Sequence, residues 1–367
     1  MAGRIFQIME CLDYGDGVSN MARAFAPLLA ANGAERQIVT LHTHETLRAE
    51  TIPFESIVWR PEDAVIVHVW NTTRLEAFLR AFPGRKAIFF QNITPPEFFE
   101  PGSECCRETE AAWRQLPRLA ELADIWLAPS AFNLSALAAV ARTPRPRYVV
   151  PAPVDPRQER ARPVDPGRLA TLKSHDEVNI LFVGRLAPNK AQERLMEVFD
   201  HYHLRINRRS RLHLVGGSAG NGGYARALAE RRARLPSGDA IEMPGKVSDA
   251  ELQAYYAAAD LFLCLSEHEG FCLPPLVAAA HGVPVLARAA AAVPETIGPA
   301  AVLLHDYDPA RIAELAHLVL TEAPLRERLL AAAERHLPHF GAEAVKEAWR
   351  APLAALRGSK DLAAACV

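Results

Sequence analysis

A glycine-led loop with two cations follows one of the apolar segments of this chain. The loop reads GRLAPNK from Gly184 to Lys190, comes directly after the run NILFV and precedes a helical pattern. Backbone amides at the amino end of a helix attract anions, whereas a cation placed there is unfavourable by itself. We therefore expect Arg185 and Lys190 to hold a polyanion such as a diphosphate, with Asn189 as the helix cap and Lys190 in the first turn. The alternative is that both cations are solvated surface charges.

A second loop combines carboxylates with glycine, again between an apolar run and a helical pattern. It reads SEHEGFCLPP and contains Glu267, Glu269 and Gly270. Backbone amides near Gly270, Phe271 and Cys272 could point at a phosphate, and the carboxylate of Glu269 could accept hydrogen bonds from sugar hydroxyls. The alternative is that Glu267 and Glu269 only cap the helix that follows.

A third candidate is the turn between the first predicted strand and the first predicted helix. It contains Gly15, Asp16 and Gly17, a Gly-x-Gly pattern too short for a dinucleotide-binding fingerprint. The alternative is a tight turn in which Ser19 or Asn20 caps the helix. Its position at the carboxyl end of a strand is what makes it a candidate.

Short apolar runs alternate with helical patterns along the whole chain, which is typical of parallel βαβ units. Strands are predicted at residues 4–9, 36–41, 64–69, 87–90, 125–128, 179–183, 212–215, 261–265 and 283–287. A segment rich in proline and arginine interrupts both periods, and we place a linker at 151–166. The pattern predicts an α/β protein with two doubly wound, Rossmann-like domains, residues 1–155 and 167–341, which face each other across a ligand-binding cleft. A helix in the tail, residues 342–367, is expected to cover the junction of the domains.

Composition and charge exclude several classes of protein. Lys and Arg number 41 against 43 Asp and Glu, so no global positive field would attract nucleic acid. The six cysteines lack the spacing of a zinc site, and the histidines lack carboxylates or cysteines at helpful spacing, so no metal site is expected. No export signal or membrane-spanning run is recognised, which predicts a cytoplasmic protein with reduced thiols. His68 ends a predicted strand, and it either faces the acceptor or packs in the core.

Together these segments resemble the retaining GT-B glycosyltransferases of family four, also called glycosyl transferases group 1. That family carries a GR-x-x-x-x-K loop and an E-G-F-x-L-P segment in its second domain. Further matches are GKVSD at 245–249, VPET at 293–296, GDGVSN at 15–20 and NITPPEFF at 92–99. The similarity covers nearly the whole chain, and the motifs occur in the order of the family.

The resemblance implies transfer of a hexose or related sugar from a nucleotide-diphosphate donor to a hydroxyl of a carbohydrate or lipid-linked acceptor, with retention and without metal or cofactor. The implied process is polysaccharide or glycolipid assembly. The implied catalytic residues are Arg185, Lys190, Glu269 and Gln91. The implied donor-binding residues are Gly15, Gly17, Gly184, Lys246, Val247, Glu267, Gly270, Phe271, Cys272 and Val277. The implied acceptor side comprises Asp16, His68, Asn92 and Thr94.

Three positions depart from the family pattern. Val277 stands where a glutamate usually binds the ribose, Gln91 stands where many relatives have histidine, and Ala191 replaces a common glycine. Glutamine can donate a hydrogen bond but cannot exchange a proton near neutral pH. These departures leave a second hypothesis open, a catalytically impaired paralogue that acts as a partner subunit. Peripheral membrane contact and the oligomeric state are also left open.

Two capping boxes are predicted outside the main loops. Thr94 with Glu97, and Ser248 with Glu251, have the spacing in which a hydroxyl and a carboxylate satisfy the amides at a helix start.

Overall fold

The computed structural model describes residues 3–358, which form two compact units. The first unit contains the chain up to Pro153 together with the segment that begins at His339, and the second unit is Val154–Pro338. Each unit is built around one parallel β-sheet with helices on its faces. The predicted fold class, with two doubly wound sheets, is confirmed.

The first sheet has seven parallel strands in the order β3-β2-β1-β4-β5-β6-β7. The strands are β1 Ile5–Leu12, β2 Ile38–Thr43, β3 Thr51–Pro53, β4 Ala64–Val69, β5 Arg85–Phe90, β6 Ile125–Ala128 and β7 Arg147–Val149. The helices are α1 Gly17–Ala31, α2 Glu76–Ala81, α3 Glu104–Leu122 and α4 Ala131–Val140. All six residues of β4 are buried, because helices cover both faces of a central parallel strand.

The second sheet has six parallel strands in the order β10-β9-β8-β11-β12-β13. The strands are β8 Val178–Val183, β9 Ser210–Val215, β10 Ile241–Gly245, β11 Leu261–Cys264, β12 Val285–Arg288 and β13 Ala301–Leu304. The helices are α5 Pro156–Ala161, α6 Pro166–Leu172, α7 Gln192–Arg205, α8 Gly222–Arg234, α9 Asp249–Ala258, α10 Leu273–Ala280, α11 Val293–Ile297, α12 Pro309–Thr321 and α13 Ala323–His336.

The predicted linker at 151–166 is only partly irregular. Helix α5 lies within it and belongs to the second unit, where Arg160 Nε donates to Ala280 O at 2.5 Å. Asp155 caps α5 by accepting from the amide of Arg157 at 2.8 Å. Arginines that obscured the helical period therefore lie on a short capped helix. The segment predicted as a linker was too long.

The end of the described chain returns to the first unit. Two short helices, α14 Ala342–Ala348 and α15 Arg350–Leu356, replace the single tail helix that was predicted. Between them lies Trp349, which is fully buried against Phe25 and Phe89 at ring-centroid distances of 5.1 and 5.9 Å. The tail thus completes the core of the first unit. The expectation that it covers a domain junction stays a prediction, and residues 359–367 lie outside the described chain.

Within residues 3–358, the helices are all too short or too polar to cross a lipid bilayer.

Candidate functional site

The second sheet reverses its strand order between β8 and β11. Connections from these two neighbouring strands lead to opposite sides of the sheet, which leaves a crevice beyond their carboxyl ends. Ligands of doubly wound proteins bind at such a switch point. The loops that follow β8 and β11, residues 184–191 and 265–272, therefore define the candidate site.

Asn189 and Lys190 connect these two loops. Asn189 O accepts from Glu267 N at 2.8 Å, and Asn189 Nδ2 donates to His268 O at 2.9 Å. Lys190 Nζ forms an ion pair with Glu269 Oε1 at 2.5 Å. The hydrogen bonds of Asn189 and the ion pair of the next residue, Lys190, thus hold the two loops side by side.

The ion pair of Lys190 and Glu269 is largely buried, with side chains 19% and 11% exposed. Burial lowers the pKa of Lys190, but the opposite charge of Glu269 outweighs it, so the pKa is raised and the ammonium stays charged at neutral pH. An ammonium group has three N–H donors, and two of them are free to bind an anion when one is directed at Glu269. The structure therefore brings together the residues assigned to diphosphate and to sugar.

Arg185 lies on the same loop as Lys190 but has an exposed side chain. Its backbone is fixed by a hydrogen bond from Gln192 Nε2 to Arg185 O at 2.9 Å. Within residues 3–358, the guanidinium group has no hydrogen bond or ion pair. Arg185 is therefore a cation available to a ligand at the same switch point.

The start of α7 differs from the prediction. Residues Pro188–Lys190 form a short 3-10 helix, and Ala191, in the left-handed conformation with φ 52°, separates them from α7. Asn189 is not the cap of α7, because its side-chain amide is used between the loops. Lys190 consequently precedes the first turn instead of lying in it.

The start of α10 excludes the capping alternative for the carboxylates. The residue before α10 is Cys272, with φ 65°, and no side chain caps the helix. Glu267 instead forms ion pairs with Arg194, at 2.5 Å, and with Arg288. Both carboxylates of the loop, Glu267 and Glu269, are therefore partners of cations.

The backbone donors of this loop precede α10. Pro274 and Pro275 in the first turn of the helix have no N–H, which removes two of its ordinary donors. Gly270, Phe271 and Cys272 are all buried directly before the helix. That the amides of these three residues bind an anion stays a prediction.

Helix α10 is apolar at the position where the family has a glutamate. Val277 is 9% exposed, and its side chain offers no hydrogen-bond acceptor. The neighbouring thiols of Cys264 and Cys272 are free, with their sulfur atoms 3.8 Å apart. The structure thus supplies no carboxylate at this position.

Gly216, which directly follows β9, was missed by the sequence analysis. A Cβ atom at Gly216 would lie 2.0 Å from Gly184 O, and Leu186 N donates to Gly217 O at 2.8 Å. Only glycine lets the loop after β8 pass this close to the end of β9. The signal in the sequence is the Gly-Gly pair immediately after an apolar run.

The loop after β10 contains Lys246 and Val247, two of the expected donor-binding residues. Lys246 is exposed and Val247 is half-buried. The predicted capping box of Ser248 and Glu251 is confirmed, and it begins α9. A Cβ atom at Gly217 would contact Lys246 Cβ at 3.5 Å, so the loops after β9 and β10 are neighbours at the same sheet edge.

The first sheet reverses its order between β1 and β4, and the Gly-x-Gly turn follows β1 there. Gly15 has φ 71°, and Gly17 is the first residue of α1. Asp16 caps α1, since its Oδ2 accepts from Ser19 N at 2.9 Å. The alternative interpretation, in which Ser19 or Asn20 caps the helix, is not what the structure shows, and Asp16 has a structural role at this turn.

His68 and Gln91 are both buried side chains of the first unit. His68 is 1% exposed on β4, and Gln91 is 8% exposed directly after β5. Burial lowers the pKa of His68 to about 3, so the ring is neutral at physiological pH. Of the two alternatives for His68, packing in the core is confirmed.

Asn92 and Thr94 continue the chain after Gln91, and both are half-buried. Asn92 has φ 93°, which is strained for a residue with a side chain. Thr94 does not form the predicted capping box, because the short 3-10 helix Pro96–Phe98 is preceded by Pro95 and has no side-chain cap.

No group of three or more His, Cys, Asp or Glu side chains within residues 3–358 is arranged to hold a metal ion. Metal independence stays a prediction.

Solved structures with the same architecture identify the fold. The structure of Anabaena Alr3699/HepE in complex with UDP and glucose matches 95% of this chain and 100% of its own length, with a TM-score of 0.75 and 16% sequence identity. The two doubly wound parallel sheets of this chain are a GT-B fold.

Sequence comparison finds a family similarity in the second unit. Residues 168–336 match the model of the family Glycosyl transferases group 1. A D-inositol 3-phosphate glycosyltransferase of Geodermatophilus obscurus is 35% identical over 212 residues, which are 54% of this chain and 45% of that relative. An MMP alpha-(1->4)-mannosyltransferase of Mycolicibacterium hassiacum is 30% identical over 224 residues, 59% of this chain and 48% of that relative. The chain thus matches less than half the length of these relatives, and residues 168–336 of its second unit carry the similarity to glycosyl transferases group 1.

Proposed function

We propose that this chain transfers a hexose or related sugar from a nucleoside-diphosphate donor to a hydroxyl acceptor. The observation that carries the proposal is the buried pair of Lys190 and Glu269 at the switch point, with the exposed cation of Arg185 on the same loop. Two cations match a diphosphate, and Glu269 Oε2 is a carboxylate oxygen that can accept from sugar hydroxyls. A similar GT-B structure was solved with UDP and glucose, and curated relatives are named glycosyltransferases.

In the proposed reaction negative charge develops on the departing diphosphate. Lys190 and Arg185 neutralise this charge, and the amides that precede α10 add hydrogen bonds from fixed positions. Because Glu269 and the hydrogen bonds of Asn189 hold the loops in place, these donors need little reorganisation during the reaction. Retention of configuration, independence from metals and cofactors, a role in polysaccharide or glycolipid assembly and a cytoplasmic location belong to the same proposal.

The test measures nucleotide binding before any acceptor is known. We expect UDP, GDP or ADP to bind the full chain in calorimetry, and the corresponding sugar nucleotide to release nucleoside diphosphate. Arg185→Ala should weaken binding about tenfold to a hundredfold, since a hydrogen bond to a charged group contributes about 1.5–3 kcal/mol. The control is Arg226→Ala, at an exposed position of α8.

Lys190 needs a paired design because its removal leaves Glu269 buried without its partner. Lys190→Met with Glu269→Gln removes both charges and keeps side chains of similar size. If this double variant and Arg185→Ala bind nucleoside diphosphates as tightly as the unmodified chain, the assignment is wrong. Another outcome is that the unmodified chain binds nucleotides but turns over no sugar donor. In that case the better hypothesis is a catalytically impaired paralogue, in which Val277 replaces the carboxylate that usually binds the ribose.

A further inference from the structure

A chain of hydrogen bonds crosses the first sheet and ends at Gln91. It begins at Ala22 O on α1, passes through Gln7 on β1 and His68 on β4, and reaches Gln91 after β5. Gln7 and His68 are each 1% exposed. Polar side chains placed this deep in a parallel sheet are costly unless their hydrogen bonds are satisfied, and here the bonds form one continuous series.

The direction of this series is fixed at one end by a backbone carbonyl. Ala22 O can only accept, so the Gln7 atom that lies 3.2 Å from it is Nε2. Gln7 Oε1 then faces His68 Nε2 at 3.0 Å and accepts its hydrogen. A neutral imidazole has one N–H, so His68 Nδ1 is the acceptor for Gln91 Nε2 at 2.9 Å.

Two further observations support this assignment. Burial lowers the pKa of His68 to about 3, which agrees with a neutral ring that donates from one nitrogen only. The His68 ring also stacks on Phe89, with centroids 5.1 Å apart and an interplanar angle of 24°, so the plane of the ring is fixed. The side-chain amide of Gln91 is therefore held by its nitrogen.

The other end of the Gln91 amide is open. Within residues 3–358, no donor is bonded to Gln91 Oε1. Gln91 follows β5, the strand next to β4 at the switch point of the first sheet, and the next residue, Asn92, has the strained φ of 93°. Backbone strain of this kind persists only where the surrounding structure enforces it, and it is concentrated at sites that bind ligands.

We propose that Gln7 and His68 are positioning residues that hold Gln91 Oε1 as a hydrogen-bond acceptor for a substrate hydroxyl. The inference rests on the proposed function, and it names the chemistry that the first unit recognises, which is a neutral polyol or sugar hydroxyl. A group that has only acceptor atoms, such as a fully ionised phosphate or a carboxylate, gains nothing from this oxygen.

The first measurement tests the direction of the series without any assay of activity. The full chain labelled with ¹⁵N-histidine should show a His68 ring protonated at Nε2 and unprotonated at Nδ1, unchanged across the neutral pH range. The signal is assigned by its loss in His68→Phe. A ring protonated at Nδ1, or a ring that titrates near neutral pH, would overturn the inference even if the protein proves to be a glycosyltransferase.

The second measurement uses a matched pair of variants. His68→Gln can still accept from Gln91 and donate to Gln7, whereas His68→Phe can do neither. For transfer to a hydroxyl acceptor, we expect His68→Phe to raise KM about threefold to tenfold, His68→Gln to restore most of the loss, and nucleotide affinity to stay unchanged in both. If both variants have the same KM, the hydrogen-bond series is only a structural feature of the core, and the positioning role is contradicted.

A third measurement decides the inference if no donor is turned over. D-glucose added to the full chain should shift the side-chain amide signal of Gln91, and inorganic phosphate should not. The shift should be lost in His68→Phe and kept in His68→Gln. Failure of turnover together with this shift would contradict the proposed function alone, whereas absence of the shift would contradict the inference.

Discussion

Glu242 on β10 is the centre of a second polar cluster at the scale of single residues. It accepts from His213 Nδ1 at 2.8 Å, from Tyr255 OH at 3.1 Å and from Arg168. Burial alone would raise the pKa of Glu242, but the hydrogen bonds from His213 and Arg168 lower it to about 2. The cluster joins α6 and α9 to the edge of the second sheet, so its ionisation affects the stability of this unit.

The prediction concerns acid stability. A carboxylate whose pKa is lowered in the folded state contributes stability above its unfolded pKa of about 4.3, and this contribution is lost as the pH falls toward the folded value. Compared with the unmodified chain, Glu242→Gln should therefore lose the most free energy of unfolding at neutral pH. This difference should decrease between about pH 4 and 2. Urea unfolding at several pH values measures it.

Glu314→Gln is the matched control for this experiment, because Glu314 is exposed on α12. Its free energy of unfolding should follow that of the unmodified chain at every pH. A difference for Glu242→Gln that stays constant down to about pH 2 would contradict the assigned ionisation.

At this scale the sequence identified the charged residues of the site but not their partners. Lys190 and Glu269 were assigned to different groups of a ligand, and their ion pair depends on β8 and β11 being neighbours. Strand order is a long-range property that local patterns do not contain. Asn189 was wrongly predicted as a helix cap, since its local spacing fits a capping box while its amide is bonded to the other loop.

At the scale of elements, strained backbone is concentrated in the loops after strands. The residues other than glycine with positive φ in the described chain are Asn92, Ala191, Cys272 and Ala291. Each lies in a connection from a strand to the following helix or 3-10 helix. Such conformations cost free energy that ordered surroundings must offset, so these loops hold particular shapes at the expense of stability.

Ala191 allows a direct test of this strain. Its φ of 52° and ψ of 43° lie in the left-handed region, where a side chain costs about 1 kcal/mol and glycine does not. Ala191→Gly should raise the free energy of unfolding by about 0 to 1 kcal/mol, after the greater entropy of glycine in the unfolded chain is subtracted. Thermal and urea unfolding measure the change.

Ala229→Gly is the comparison, because Ala229 is exposed in the middle of α8. The same substitution there should destabilise the protein by about 1 kcal/mol. If both variants lose this much stability, Ala191 is not strained and the opposite signs expected for the two sites are wrong.

Most central strands were predictable from the sequence, whereas several short ones were not. Strands β3 and β7 have three residues each and lie at the two edges of the first sheet. Edge strands are half covered, so they lack the continuous apolar run that identifies β4 or β11. In the second sheet β10 and β13 were missed for the same reason, since both are edge strands with mostly half-buried residues.

At the scale of the whole molecule, the first unit is made from two separate parts of the chain. Residues 339–358 belong to the same unit as a sheet whose strands all precede Pro153. Trp349 supplies the main aromatic contact of the returning segment, against Phe25 and Phe89. The stability of the first unit should therefore depend on a residue far away in sequence.

Trp349→Ala should destabilise the first unit by about 3–5 kcal/mol, as expected for removal of a fully buried large aromatic side chain. Trp349→Phe should lose less stability. Phenylalanine keeps an aromatic ring at this position, and no hydrogen bond is lost because the indole Nε1 has no hydrogen-bond partner within residues 3–358. Hydrogen exchange measured separately for each unit tests this. Amide protection should fall in β4 and β5 and stay unchanged in β8 and β11. Uniform loss of protection in both units would show that they unfold together.

The division of the first unit also determines the order in which the chain can mature on the ribosome. Its seven strands are synthesised before any part of the second unit, but the helices with Trp349 emerge only after Pro338. The second unit is continuous, so it can reach its native state during translation, while the sheet made earliest waits for the last helices. A nascent chain halted before residue 339 would thus expose an apolar surface around Phe25 and Phe89, which is the kind of surface that chaperones bind.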